Sequence, residues 1–135
     1  MTHTILIVDD APDWRDMLAG LIGDVFSEIE IITAASMGEA KSCLDQHNFK
    51  LAIIDLRLDD SDEENVDGLE LAEFIHTHYE QTQVLILTGY PSIETVERAM
   101  QPDETGIRLA VDYIVKDNMN EELLTRISTI LEENL

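Results

Sequence analysis

Four short apolar runs in this chain each stop at a polar or charged residue, and this arrangement constrains the fold more than any other feature. Ile5-Leu6-Ile7-Val8 stops at Asp9-Asp10, Leu51-Ala52-Ile53-Ile54 at Asp55, Val84-Leu85-Ile86-Leu87 at Thr88-Gly89, and Tyr113-Ile114-Val115 at Lys116. A continuous Leu/Ile/Val run of strand length marks a strand covered on both faces, the habit of central strands in parallel sheets. The polar residue ending each run then lies at the carboxyl edge of the sheet.

Helical patterns separate the runs. Pro12 suits the first turn of a helix in which Trp14, Met17, Leu18, Leu21, Ile22 and Val25 recur at helical spacing, predicting one face packed on the sheet. Glu30 to Thr33 reads as a short second strand, and Ser36-Met37-Gly38-Glu39 has the capping-box form that opens a helix with Ala40, Cys43 and Leu44 on its apolar side. Cys43 reads as a small buried filler. Gly68 opens a third helix carrying Leu71, Ala72, Ile75 and Tyr79. Ser92 is the expected N-cap of a fourth, with Ile93, Val96 and Met100 on one side, and Gln101 to Gly106 breaks it. Asn120 is expected to cap a last helix through Leu123, Leu124, Ile127, Ile130 and Leu131. Strand and helix thus alternate five times. The expected architecture is a doubly wound five-stranded parallel sheet with right-handed crossovers and helices on both faces. In such sheets the site lies beyond the carboxyl ends of the strands, which selects Asp9, Asp10, Asp55, Thr88 and Lys116.

A length of 135 residues fits one domain over 1–135, with no effector domain expected within the chain. No apolar run approaches the roughly 18 residues of a membrane span. Met1 to Thr4 runs straight into a strand without the regions of a signal peptide, so a cytoplasmic location is expected, and a single cysteine agrees with a reducing compartment. Asp and Glu number 29 against 8 Lys and Arg, a formal net charge of -21. Binding to nucleic acid relies on basic groups that displace counterions from phosphates, so direct contact with DNA or RNA is excluded. Most surface carboxylates serve solubility. The tract from Asp59 to Asp67 belongs in a solvated loop, and it lacks the glycine and the final glutamate of a calcium loop, having Leu71 where that glutamate would stand. His76 and His78 read as surface residues.

The chemistry lies at the sheet edge. Three carboxylates within about 5 Å repel by roughly 3 kcal/mol per pair at an effective dielectric near 20, so a positive group must hold them. A hard divalent cation, Mg²⁺ or Mn²⁺, takes carboxylate oxygens and leaves positions open for a phosphate oxygen. Lys116 adds a compact positive charge, Thr88 a hydroxyl donor, and Asp55 is a suitable nucleophile for an acyl phosphate.

At this point the chain resembles a receiver domain of a two-component response regulator over essentially its full length. The matching pieces, in the family's order, are Ile7-Val8-Asp9-Asp10, Ile53-Ile54-Asp55, Asp67-Gly68-Leu69-Glu70-Leu71, Leu87-Thr88-Gly89-Tyr90 and Asp112-Tyr113-Ile114-Val115-Lys116. The resemblance implies a flavodoxin-like sheet of strand order 2-1-3-4-5. It implies that a histidine kinase or phosphotransfer protein donates a phosphoryl group to Asp55. Asp10, Asp55 and the backbone carbonyl of Arg57 would hold Mg²⁺ directly, Asp9 would act mainly through metal-bound water, and Lys116 would pair with the phosphoryl oxygens. Thr88 would be the switch residue, followed by the ring of Tyr113. The fourth helix, fifth strand and fifth helix would form the face read by a downstream partner, a face through which family members also dimerise.

The chain departs from the family at several points. Asp117 stands where proline usually follows the lysine, Asp59 replaces another common proline, and the segments 59–67 and 100–110 are extended. Arg57 and Tyr90 occupy the positions flanking the path of attacking water, and their bulk is expected to slow hydrolysis. The acidic tract is expected to raise the local Mg²⁺ concentration. Two rival readings differ in class. A haloacid-dehalogenase-like phosphatase also forms a phosphoaspartate but needs a second aspartate where Arg57 stands, and a receiver-like binding module would work without phosphorylation.

Overall fold

The computed structural model describes residues 3–58, 65–89, 92–116 and 119–132. Strands β1 (His3–Val8), β2 (Ile29–Ala34), β3 (Leu51–Ile54), β4 (Gln83–Thr88) and β5 (Asp112–Val115) alternate with helices α1 (Pro12–Val25), α2 (Met37–Gln46), α3 (Asp67–His78), α4 (Ile93–Met100) and α5 (Met119–Glu132). All strand pairs are parallel, and the order across the sheet is β2-β1-β3-β4-β5. The doubly wound sheet inferred from the apolar runs is the fold observed.

Side chains alternate across a strand, so each run feeds two cores. Leu6, Val8, Ala52, Ile54, Val84 and Ile86 face α2, α3 and α4. Ile5, Ile7, Leu51, Ile53, Leu85 and Leu87 face α1 and α5. All four residues of β3 are buried, as its unbroken apolar composition requires. Burying one such Leu or Ile side chain contributes about 1.5–3 kcal/mol. No helix among the described residues is long and apolar enough to cross a membrane.

The helix starts follow local chemistry. Pro12 occupies the first turn of α1, where its missing N–H costs nothing. Ser36 Oγ accepts from the Glu39 amide at 3.2 Å and Ser92 Oγ from the Thr95 amide at 3.2 Å, so both expected caps are made. The side chain of Asn120 falls outside the described residues. Cys43 packs half-buried on the α2 side of the core, where burial and the nearby Glu39 charge push its thiol pKa up and keep it protonated.

Two apolar stripes are covered only in part: Trp14, Leu18, Leu21 and Ile22 of α1 and Met100 of α4 pack on the core, and other members of each stripe do not. On α1, Leu18 and Ile22 are buried, but Met17 and Val25 are exposed, because the apolar arc is wider than the strip the sheet covers. On α4 the buried residues are Thr95 and Ala99, while Ile93 is 80% exposed and Val96 37%. Ala99 is small enough to bring α4 close to the segment before β5, where the Ala110 amide donates to the Ala99 carbonyl at 2.9 Å. Helix α3 ends at His78, with Tyr79 as its C-cap.

Candidate functional site

Register brings the charged strand ends together. Val8 pairs with Ile54, so Asp9 and Asp55 leave adjacent strands side by side, and their amides continue the ladder onto the carbonyls of Ala34 at 3.1 Å and Val8 at 2.9 Å. Thr88 pairs with Val115, which places Lys116 one residue beyond the last rung of the same edge. Asp9, Asp55 and Thr88 are buried, and Asp10 is half-buried.

One carboxylate oxygen from each of Asp9, Asp10 and Asp55 lies within 4.8 Å of the others. Lys116 Nζ donates to Asp9 Oδ2 at 2.8 Å and to Asp55 Oδ2 at 3.3 Å, with only 11% of its side chain exposed. Burial works against the ammonium, yet the hydrogen bond to Asp9 and the charges of Asp55 and Asp9 outweigh it, so its pKa lies above the ordinary lysine value. Lys116 is therefore charged at neutral pH. Lys116 bridges two of the three clustered carboxylates. Three hard oxygen donors this close fit a small divalent cation, which would offset the repulsion.

The surrounding backbone is tightly held. Asp9 Oδ1 accepts from the Ala11 amide at 2.9 Å, and Arg15 Nη1 donates to the Asp9 carbonyl at 2.7 Å. Gly68 begins α3 against the backbone after β3: its amide donates to the Leu56 carbonyl at 3.0 Å, and a Cβ there would collide with the Asp55 carbonyl oxygen and the Leu56 backbone. Leu56 and Leu58 are buried, leaving half-buried Arg57 between them at the surface. Asn65 Oδ1 accepts from the amides of Leu58 at 3.1 Å and Asp67 at 3.0 Å, tying the base of the acidic tract. Residues 59–64, Tyr90 and Asp117 lie outside the described residues.

Tyr113 stands apart from the carboxylate cluster. Its hydroxyl shares a 2.9 Å hydrogen bond with Thr95 Oγ1, which contacts Ser92 Oγ at 2.8 Å and donates to the Ser92 carbonyl at 3.1 Å. The sequence reading missed Thr95, the anchoring by Arg15, and the position of Trp14, whose ring lies 4.4 Å from Lys116 Nζ. Helical spacing puts Trp14 on the core face of α1, where it packs partly buried. Its location in the first turn, just past Asp9-Asp10, was the available signal that it also reaches the carboxyl edge.

A five-stranded doubly wound sheet whose carboxyl edge gathers three aspartates and a largely buried lysine defines a class of α/β domains with an acidic strand edge. The family described as "Response regulator receiver domain" matches residues 5–128, and the chain belongs to it. It is 33% identical to the response regulator protein PilR of Pseudomonas aeruginosa over 82% of this chain, yet spans only 22% of that protein's length. A receiver domain protein (CheY-like) from Methanospirillum hungatei superposes with a TM-score of 0.79 at 30% identity, covering 98% of this chain and 96% of that one. The response regulator TrrA from Thermotoga maritima, in complex with Mg(2+)-BeF, superposes with a TM-score of 0.72 at 26% identity, covering 96% of this chain and 99% of that one. Switching by phosphorylation is the general function of receiver domains in two-component systems.

Proposed function

We propose that this chain is a phosphoacceptor receiver in which Asp55 takes a phosphoryl group from the phosphohistidine of a histidine kinase or phosphotransfer protein. The observation carrying this reading is the bridging of Asp9 and Asp55 by Lys116 inside a three-carboxylate cluster. In the transfer, an Asp55 carboxylate oxygen attacks phosphorus, the P–O bond forms as the P–N bond breaks, and the departing imidazole takes a proton from water. Asp10, Asp55 and the backbone carbonyl of Arg57 would hold Mg²⁺ or Mn²⁺, with Asp9 acting through metal-bound water. The bound cation would neutralise charge on the phosphoryl oxygens. Lys116 swings a donor from the carboxylates to a phosphoryl oxygen, and Thr88 supplies a hydroxyl donor from the end of β4.

The modified aspartate adds about two negative charges and three acceptor oxygens, enough to bias a bistable segment. Thr88 and Tyr113 carry that change to the face of α4, β5 and α5, where the exposed Ile93 and Val96 offer apolar area to a downstream protein or a second copy. Arg57 and Tyr90 prolong the phosphorylated state by obstructing water, and the acidic tract from Asp59 gathers Mg²⁺. The chain acts as a switch, located in the cytoplasm, that promotes its own phosphorylation and dephosphorylation.

Intact mass after incubation with phosphoramidate and Mg²⁺ tests the proposal. A single phosphoryl addition is expected, absent in Asp55→Ala and in metal-free buffer. An addition that persists in Asp55→Ala would overturn the assignment.

A further inference from the structure

We propose that Trp14 is a positioning residue for Lys116, holding the ammonium over the phosphorylation site by contact with its ring face. The proposal rests on the reading of Asp55 as phosphoacceptor and goes beyond it, since it assigns a role to a side chain outside the carboxylate cluster. An ammonium group has three N–H bonds. Lys116 donates to Asp9 Oδ2 and Asp55 Oδ2, and its Nζ also lies over the indole of Trp14, 4.4 Å from the ring centroid. Aromatic faces attract cations within about 6 Å, Trp most strongly, and the attraction grows as water is excluded. Lys116 is largely buried, so this contact operates away from bulk solvent.

The chemistry of the third partner matters. A further carboxylate would bind the ammonium directionally and compete with the incoming phosphoryl oxygens. A ring face attracts the charge without fixing any N–H bond, so Lys116 can turn one donor from Asp55 toward a phosphoryl oxygen and remain over the site. The helix fixes the ring: Trp14 stands one turn before Leu18 and two before Ile22, both fully buried against the sheet. Trp14 itself is half-buried and packs against the α1 and α5 core, which steadies the ring while part of its surface stays outside that core.

Substitutions separate the ring face from mere bulk. Trp14→Leu keeps apolar volume and removes the π system, and Trp14→Phe keeps a smaller ring. In phosphoramidate labelling, where the P–N bond breaks as the Asp55 O–P bond forms and ammonia leaves, Trp14→Leu is expected to be slowed about fivefold. Trp14→Phe should retain more than about half of the rate, because a benzene face also attracts cations. Equal rates for Trp14→Leu and the unaltered protein, or equal loss in both variants, would overturn the proposal. If the unaltered protein takes up no phosphate, the phosphoacceptor reading itself has failed, and this proposal falls with it. A donor-free measurement covers the case in which Trp14→Leu does not fold. Trp14 is the chain's single tryptophan. Its emission should therefore change in Lys116→Met, and superimposable spectra would also count as refutation.

Discussion

At Gly68 the chain comes too close to itself for any side chain. A Cβ would meet the carbonyl oxygen of Asp55 and the backbone of Leu56, atoms that cannot rotate aside. Gly68→Ala is therefore expected to destabilise the fold by about 3 kcal/mol in urea unfolding, the upper range of overpacking costs. A loss under about 0.5 kcal/mol would mean that α3 can slide off the strand end without strain. In the sequence Gly68 reads as the opening of a helix and as part of the Asp67 to Leu71 piece that resembles the family, neither of which says why a glycine stands there. Its close approach depends on α3 docking against the backbone after β3, which no local pattern encodes. The acidic cluster was more legible: Asp9, Asp10, Asp55 and Lys116 end apolar runs, and parallel register carries run ends to one edge. Trp14 and Arg15 were not, since their partners come from other elements or from the backbone.

At the scale of elements, the region from α4 to β5 shows how small residues and turn chemistry override an apolar stripe. Thr95 and Ala99 face inward, and the hydroxyl of Thr95 ties the first turn of α4 to Tyr113 on β5. Beyond α4, Asp103 organises its own turn. Its Oδ1 accepts from the Thr105 hydroxyl at 2.6 Å, the Thr105 amide at 2.8 Å and the Ile107 amide at 3.1 Å, while Oδ2 lies 3.3 Å from His76 on α3. The Thr105 hydroxyl and these amides pull the Asp103 pKa down to about 2. A depressed carboxylate favours the folded turn above its ordinary value of 3.8, and that contribution disappears as pH falls through about 2. The Asp103 side-chain carbon resonance should titrate with a midpoint near about 2, and a midpoint at the ordinary value would show that the turn is not held this way. Gly106, with φ of 85°, supplies the left-handed residue that closes the turn.

Across the whole molecule, a formal charge of -21 acts against compactness. Repulsion between surface carboxylates falls with screening, whose length is about 30 Å at 0.01 M salt and about 8 Å at 0.15 M. The urea midpoint should accordingly rise between these two ionic strengths. Mg²⁺ at millimolar levels should add a further increase beyond an ionic-strength-matched NaCl control, because a ligand that binds only the folded site stabilises it. The extra increase should vanish when Asp10 is replaced by Asn; an unchanged increase in Asp10→Asn would place the ion elsewhere.

The apolar runs, their polar ends and the cap residues determined the order of strands and helices, the doubly wound architecture and the edge on which the charged residues meet. These properties are local or periodic: burial on two faces requires a continuous run, and a cap requires a side-chain acceptor a few residues from its amide. Only the tertiary structure decided which arc of α1 and α4 is covered, that the ring of Trp14 lies over Lys116, that Thr95 bonds Tyr113, and that Asp103 reaches back to His76. Each of these depends on the rotation and translation of one element relative to another, and helix packing adjusts those by fractions of a turn that the sequence period does not specify.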